Sequence, residues 1–299
     1  MEEPQHIPNK RVQALVKLLE DPSDIVYRAV YHALIKEDVA VVPALLRAWD
    51  NVDDENVRQR IDNIIHHIEY KAVGREMAQW VEDGADDLLY GAYLVAKYQY
   101  SDLEYSTVRN AVNDIWRQID GEVSKQEMPR DKVKVIDDYL FGKVGLKKNY
   151  DEPASHRNNC INDVLETLRG NHVTLSILYA SICQRAGMPV YCISLPKIVI
   201  VCYLSEEADM DDVDVNDVLF YINPASEGRL LNVSDVTTFL DQYNLERDRS
   251  YYVPCGNIEI VRRLLTNMMY AFEMIECTDK SKEVSKLIDL IDQSADNSK

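Results

Sequence analysis

The sequence predicts an α+β protein that is predominantly helical and contains one small antiparallel sheet. Long segments carry apolar residues at helical spacing, and the 299 residues include only ten Gly and ten Pro, so few positions interrupt helices. Two continuous apolar runs rich in β-branched residues, Val190 to Leu195 and Ile198 to Leu204, are typical of buried strands. A third strand is predicted at 218–223, before a turn at Pro224.

The composition is that of a folded, acidic protein. Hydrophobic residues make up 46% of the chain, charged residues 28%, and the formal net charge is −18. Such a charge repels nucleic acid and anionic lipid, so we expect neither as a partner. The first residues, MEEPQHIPNK, lack the basic and apolar regions of a signal peptide, and no run approaches about 18 apolar residues. We therefore expect a cytoplasmic protein without a membrane span.

Six cysteines are scattered without CxxC pairs, and several fall in apolar helix or strand patterns. This distribution favours buried free thiols over a disulfide framework.

The N-terminal part is predicted to be an α-solenoid-like stack of helices. Apolar faces recur from Lys10 to about Tyr70, and each helix pair exposes a face too wide for a single layer, so the pairs must stack. The stretch LVKLLEDPSDIVYRAVYHAL resembles HEAT-type repeats. We assign residues 1–71 to this region and 72–142 to further helices, including one around Met77 and Trp80.

The amino-acid composition changes near Gly142. The stretch FGKVGLKKNYDEPASHRNN is rich in turn residues and leads into a domain predicted over 143–250. Two helices follow, at 158–168 and from His172 to Ala186, and then the strands. A short helix is predicted to begin with Ser234 as its cap. Residues 251–299 are predicted to form an αα-hairpin, with helices at about 258–276 and 279–294.

The helix beginning at His172 and the strands after it have the topology of a cysteine-nucleophile site. Such a site needs a thiolate at a helix N-terminus, where the helix dipole lowers its pKa. An imidazole on a neighbouring strand exchanges the proton, and a polar group on the next strand orients that imidazole. In this region a predicted helix is followed by predicted strands, which is the order of elements that such a site requires.

The residues in this region resemble the transglutaminase-like family of SirB type. The matching stretches are FGKVGLKKNYDEP, NDVLETLRGN, LSILYASICQRAGMPVY, the Leu195-Pro196 pair and YINPASEG. The resemblance implies a papain-like α+β domain. The helical prefix and VPCGNIEIVRRLLTNMMYAFE are also similar to the longer bacterial versions, whose closing helices are tetratricopeptide-like.

The expected catalytic residues are replaced. In transglutaminase-like enzymes the nucleophilic Cys opens the helix, where this chain has His172, and the base follows the Leu-Pro pair by two positions, where it has Ile198. Asn223 fits the third, orienting position. An aliphatic side chain cannot accept a proton, and an imidazole is a poor substitute for a thiolate. We therefore expect a non-catalytic scaffold that binds another protein, a peptide or a small ligand, without a cofactor.

Two alternatives remain open on the sequence. Cys160 could form a displaced nucleophile with His172, which would give a cysteine-dependent hydrolase or acyl transferase. A small molecule could instead occupy the altered cleft. The residues expected to line it are His172, Lys197, Tyr203 and Asn223.

No metal site is predicted. The loop at 206–217 has carboxylates at 209, 211 and 214, as calcium loops do, but it lacks their central Gly and terminal Glu. This pattern indicates a solvated hairpin tip.

Overall fold

The computed structural model describes residues 10–297 and divides the chain into two compact units, Met1–Glu76 and Met77–Lys299. Helices predominate and one small antiparallel sheet is present, which confirms the predicted α+β class. The helices are α1 (Lys10–Lys17), α2 (Asp24–Leu34), α3 (Val42–Asp50), α4 (Glu55–Glu82), α5 (Leu88–Gln99), α6 (Tyr105–Val123), α7 (Pro129–Asp137), α8 (Ile161–Thr167), α9 (His172–Arg185), α10 (Val233–Gln242), α11 (Asn257–Met274) and α12 (Thr278–Asn297). The strands are β1 (Lys147–Lys148), β2 (Arg169–Gly170), β3 (Val190–Leu195), β4 (Ile198–Leu204), β5 (Val218–Asn223) and β6 (Arg229–Leu231).

The first unit is built from α1 to α3 and the first part of α4. Its core contains Leu19, Leu34, Leu45 and Ile64, which are fully buried. The sequence predicts that one helix ends near Tyr70 and that another lies around Met77, but the structure has one 28-residue helix over both segments. The division between the two units falls within α4.

In the second unit the main sheet has the strand order β3-β4-β5-β6, with every neighbouring pair antiparallel. Leu195 pairs with Ile198 across a two-residue turn, in which Lys197 has a φ of 71°. Strands β3, β4 and β5 have the bounds that the sequence predicts. Two short segments, β1 and β2, form a separate parallel pair and place the 147–149 backbone beside the start of α9.

The helix α9 is the central element of the second unit. All residues from Val173 to Cys183 are buried, and the helix packs against β3 and β4 and against α5, α6, α8 and α11. A helix that is covered on every side shows no apolar stripe, and α9 buries Thr174, Ser176 and Ser181 together with its apolar residues.

Within residues 10–297, no helix combines the length and the apolar character that crossing a bilayer requires.

Candidate functional site

His172 is the first residue of α9, and the turn before it fixes its position. Asn171 is the N-cap: its Oδ1 accepts from the backbone N–H groups of Val173 at 2.8 Å and Thr174 at 3.0 Å. The Thr174 hydroxyl accepts in return from the Asn171 N–H at 3.1 Å, which completes a capping box. The Asn171 amide also donates to Asn159 Oδ1 at 2.6 Å, so the cap is tied to the loop before α8.

The imidazole of His172 holds the start of α9 against the sheet. Its Nδ1 accepts from the backbone N–H of Val199 on β4 at 3.0 Å. One turn further along α9, the Ser176 hydroxyl donates to the Val199 carbonyl at 3.0 Å. The pairing of β5 with β4 begins only at Val201, so β5 does not reach the Val199 backbone. Both backbone groups of this buried residue are therefore paired by side chains of α9.

This hydrogen bond determines the chemical state of His172. A ring nitrogen that accepts from an N–H carries no proton, so the neutral ring carries its proton on Nε2. Burial lowers the pKa of His172, the positive charges of Arg263 and Lys148 act in the same direction, and together they bring it to about 4. Near neutral pH the side chain is therefore an uncharged imidazole with one remaining donor, Nε2–H.

A cavity of about 310 Å³ opens beside His172. Its wall combines the end of β1, the loop before α8, the cap of α9 and one face of α11. The lining residues are Lys148, Pro153, Ala154, Ser155, Asn159, Asn171, His172, Asn267, Tyr270, Ala271 and Met274. No thiol and no carboxylate is among them.

Ile198 and Asn223 lie together in a second cavity of about 260 Å³, which His172 does not line. The Asn223 side chain caps a short 3-10 turn: its Oδ1 accepts from the Ala225 N–H at 3.1 Å, and its Nδ2 donates to the Ser226 hydroxyl at 3.1 Å. The second and third of the expected catalytic positions therefore share a cavity, and the first lies in another one.

The other two residues of the predicted ligand site line neither cavity. Lys197 is exposed, and its Nζ lies 4.0 Å from the centroid of the Tyr243 ring. Tyr203 is buried in the sheet against Phe220, with 5.3 Å between ring centroids. The structure thus does not bring His172, Lys197, Tyr203 and Asn223 into one pocket.

Cys160 is fully buried immediately before α8. Its Sγ lies 3.9 Å from the carbonyl oxygen of His156, and it is not part of the cavity wall at His172. Burial raises the pKa of its thiol, and the nearby negative charge of Asp163 raises it further. A buried thiol with a raised pKa is a weak nucleophile, which weighs against the alternative of Cys160 acting with His172.

The remaining cysteines also lie in the interior or near it. All six are free. Cys183, Cys192 and Cys202 are buried, and burial raises the pKa of each thiol. Cys255 is half-buried and donates to the Cys192 carbonyl at 3.5 Å, and burial raises its pKa to about 12. Cys277 is half-buried.

The acidic loop 206–217 uses its carboxylates locally. Asp214 accepts from the Asn216 N–H at 2.9 Å, and Asp212 lies 2.9 Å from the guanidinium of Arg249. Within the described residues, no three His, Cys, Asp or Glu side chains converge in a way that could hold a metal ion.

A second partly buried ionisable group lies where α7 ends. The Asp137 carboxylate accepts from the hydroxyl of Tyr179, a buried residue of α9, at 2.8 Å. Burial raises the pKa of Asp137 to about 7; the bond from Tyr179 opposes this shift and the charge of Asp138 adds to it. Gly228, with a φ of 76°, approaches this carboxylate so closely that a Cβ atom there would clash with it.

The sequence pattern does not predict the contributions of β1 and α11 to the cavity at His172. Lys148 lies in a turn-rich stretch, and α11 was assigned to a separate hairpin. One signal was available: Arg263, Asn267, Tyr270 and Met274 recur at helical spacing and therefore share one face.

Comparison with known proteins agrees with the architecture. The family model of the transglutaminase-like superfamily matches residues 106–266, which is more than half of the chain. UPF0162 proteins from two strains of Xylella fastidiosa, Temecula1 and 9a5c, are each 26% identical over 156 residues. That alignment covers 52% of this chain and 52% of each relative, so it spans about half the length of the curated relatives. No solved structure gives a significant match. The matched segment contains α9, the main sheet and most of α11, and the chain belongs to the transglutaminase-like superfamily.

Proposed function

We propose that this protein is a non-catalytic member of its superfamily, of the SirB type, and that it acts as a binding scaffold for a protein, a peptide or a small ligand. The observation that carries the proposal is the hydrogen bond from the Val199 N–H to Nδ1 of His172. The residue at the nucleophile position is used to satisfy a buried backbone group. In an enzyme of this family, that position would present a thiolate to the substrate.

The surroundings of His172 support the same role. The position of the proton acceptor holds Ile198, whose side chain cannot take a proton. The thiols on α9 and on the main sheet, and that of Cys160, are buried. The cavity beside His172 is nevertheless open, and polar amides and one ammonium group line it. Such a wall can hold a ligand without reacting with it.

The rate of thiol alkylation as a function of pH tests this proposal. A catalytic thiolate reacts at pH 6 because its pKa is depressed, whereas an ordinary thiol is almost fully protonated there. We expect iodoacetamide to label the native protein slowly at pH 6, and faster only as the pH rises and more thiolate forms.

Two variants identify any reactive thiol. Cys277→Ser should remove much of the slow labelling, because Cys277 is only half-buried, and Cys160→Ser should leave the rate unchanged. Rapid stoichiometric labelling of one cysteine at pH 6, abolished by Cys160→Ser, would overturn the proposal in favour of a cysteine-dependent hydrolase or acyl transferase.

A further inference from the structure

One face of α11 connects the cavity at His172 with a neighbouring cavity of about 330 Å³. Asn267 and Tyr270 line both. We call this continuous depression the α11 groove and define it by Arg263, Asn267, Tyr270 and Met274 on α11, with Lys148 and His172 opposite. The four α11 positions lie three or four residues apart, so they form one row along the helix.

The groove carries two positive charges that are not in ion-pair contact with a carboxylate. Among residues 10–297, neither Lys148 nor Arg263 has a carboxylate oxygen within 4.0 Å. Both lower the pKa of His172, so their charges act on the cavity. Arg262, beside Arg263, is paired with Asp292 at 3.0 Å. Glu259 lines the neighbouring cavity, but the cavity at His172 has no acidic residue. Lys148 lines the cavity at His172 and Arg263 lines the neighbouring one, so the groove holds two cations without an ion-pair partner in a chain of net charge −18.

The free polar groups of the groove are mainly donors. His172 has only Nε2–H left, and the ammonium and guanidinium groups of Lys148 and Arg263 can only donate. The Asn267 amide has no hydrogen-bond partner within the described part of the chain. A set of cationic and neutral donors is complementary to a carboxylate, which only accepts.

Beyond the cations, the groove becomes apolar. Tyr270 is 56% exposed and Met274 is 72% exposed, and Ala271 forms the floor between them. The order along α11 is therefore cation, amide, aromatic ring and thioether. A ligand that fits this order presents a carboxylate at one end and a large apolar side chain near it.

We propose that the α11 groove binds the free C-terminus of a peptide that ends in a large apolar residue. The carboxylate lies among Lys148, Arg263 and His172, and the last side chain packs on Tyr270 and Met274. The volume at His172, about 310 Å³, is near the lower end of ligand pockets, which suits the end of a chain better than its middle. Capture of a terminal carboxylate by converging donors is a known mode of peptide recognition. The inference rests on the proposed non-catalytic role, because the bound peptide must stay intact.

Fluorescence anisotropy on the full chain tests this binding. The probe is the pentapeptide Gly-Ser-Gly-Ser-Phe with fluorescein at its N-terminus, prepared as the free acid and as the C-terminal amide. We expect the free acid to bind at least tenfold more tightly than the amide, and the difference to shrink as salt is raised. Equal affinity of the two forms, or no binding of the acid up to about 1 mM, would overturn the inference.

Charge reversals locate the site. Lys148→Glu and Arg263→Glu should each weaken binding of the acid at least tenfold. Lys147→Glu is the matched control: it makes the same change in net charge one residue away, on an exposed side chain outside the groove. If all three variants weaken binding equally, the effect comes from the change in the net charge of the protein, and the α11 groove is not the site. Thermal melts of each variant show that it is folded.

Mass spectrometry of the peptide after incubation separates this inference from the proposed function. A peptide that is shortened or attached to the protein contradicts the non-catalytic role, whatever its affinity. An intact peptide whose binding does not depend on Lys148 and Arg263 contradicts only the C-terminus inference.

Discussion

The hydrogen bond between His172 and Val199 explains what an imidazole does at a helix start where the superfamily's enzymes have a cysteine. The Val199 N–H is buried and lies beyond the reach of β5. An unpaired N–H in that place would cost about 1–3 kcal/mol. Nδ1 of a neutral imidazole accepts this bond without adding a charge. A thiolate in the same place would be a buried charge, which is costly unless it is paired.

Substitution of His172 measures this role directly. His172→Leu leaves the Val199 N–H without an acceptor, so we expect the free energy of unfolding to fall by about 1–3 kcal/mol. His172→Asn places an amide oxygen where Nδ1 lies and should cost less than half as much. Urea unfolding followed by circular dichroism gives both values. A leucine variant as stable as the wild type would show that the hydrogen bond contributes nothing to stability.

At the scale of elements, the cap of α9 links helix formation to the site. The Asn171 side chain satisfies two backbone N–H groups and also holds Asn159, a residue of the cavity wall. Asn232 forms the same type of capping box at the start of α10. That cap is exposed, and its Oδ1 also accepts from the neighbouring Ser234 hydroxyl at 2.6 Å.

The two caps form a matched pair for mutation. Asn171→Ala should lower the free energy of unfolding by about 2 kcal/mol, because it removes a cap and also leaves Oδ1 of the Asn159 side chain unpaired. Asn232→Ala should cost about 1 kcal/mol, the ordinary value for a cap in solvent. Chemical denaturation of both variants checks the order. Equal costs would mean that the link to Asn159 adds no stability.

The regular elements of the second unit were predictable because their signals are local. Strands β3, β4 and β5 are uninterrupted apolar runs between turn residues, and α9 begins and ends within one residue of its predicted bounds. The start of α10 was displaced: Ser234 was the predicted cap, but Asn232 holds that place through its bond to the Asp235 N–H. Both residue types cap helices, and only the backbone geometry distinguishes them.

The sequence predicts two helices over the length of the continuous α4, because two separate apolar patterns lie there. Ile61, Ile64 and Ile68 continue into Ala72 and Val73 at the same helical spacing, and all five are buried. Gly74 lies inside this helix without ending it. A single glycine costs a helix about 1 kcal/mol, which packing along 28 residues can offset.

The candidate site was only partly accessible to sequence reasoning. The special position of His172 followed from the spacing to Gly187 and from the resemblance, but its partner Val199 is known only from the packing of α9 on β4. Lys148 and Arg263 come from segments far from His172 in sequence. Their convergence depends on the tertiary arrangement, for which a local pattern carries no signal.

At the scale of the whole molecule, two partly buried groups oppose each other as the pH changes. The pKa of His172 falls from 6.5 to about 4 on folding, so the unfolded chain binds the proton first and stability decreases as the pH drops from 6.5 to 4. The pKa of Asp137 rises from 3.8 to about 7, so the folded chain binds that proton more tightly and stability decreases as the pH rises from 4 to 7. Between pH 4 and pH 6.5 the two contributions have opposite signs.

Single variants should therefore reveal pH dependences that the wild type conceals. Relative to His172→Asn, the wild type should gain up to about 3 kcal/mol of stability between pH 4 and 6.5. Relative to Asp137→Asn, which keeps an acceptor for Tyr179, it should lose up to about 4 kcal/mol between pH 4 and 7. Urea unfolding at half-unit pH steps gives both difference curves, and subtraction removes the contributions of the other carboxylates. Because α9 separates the two groups, the double variant should show the sum of the two differences. Parallel curves for the wild type and either variant would mean that the substituted group does not change its pKa on folding.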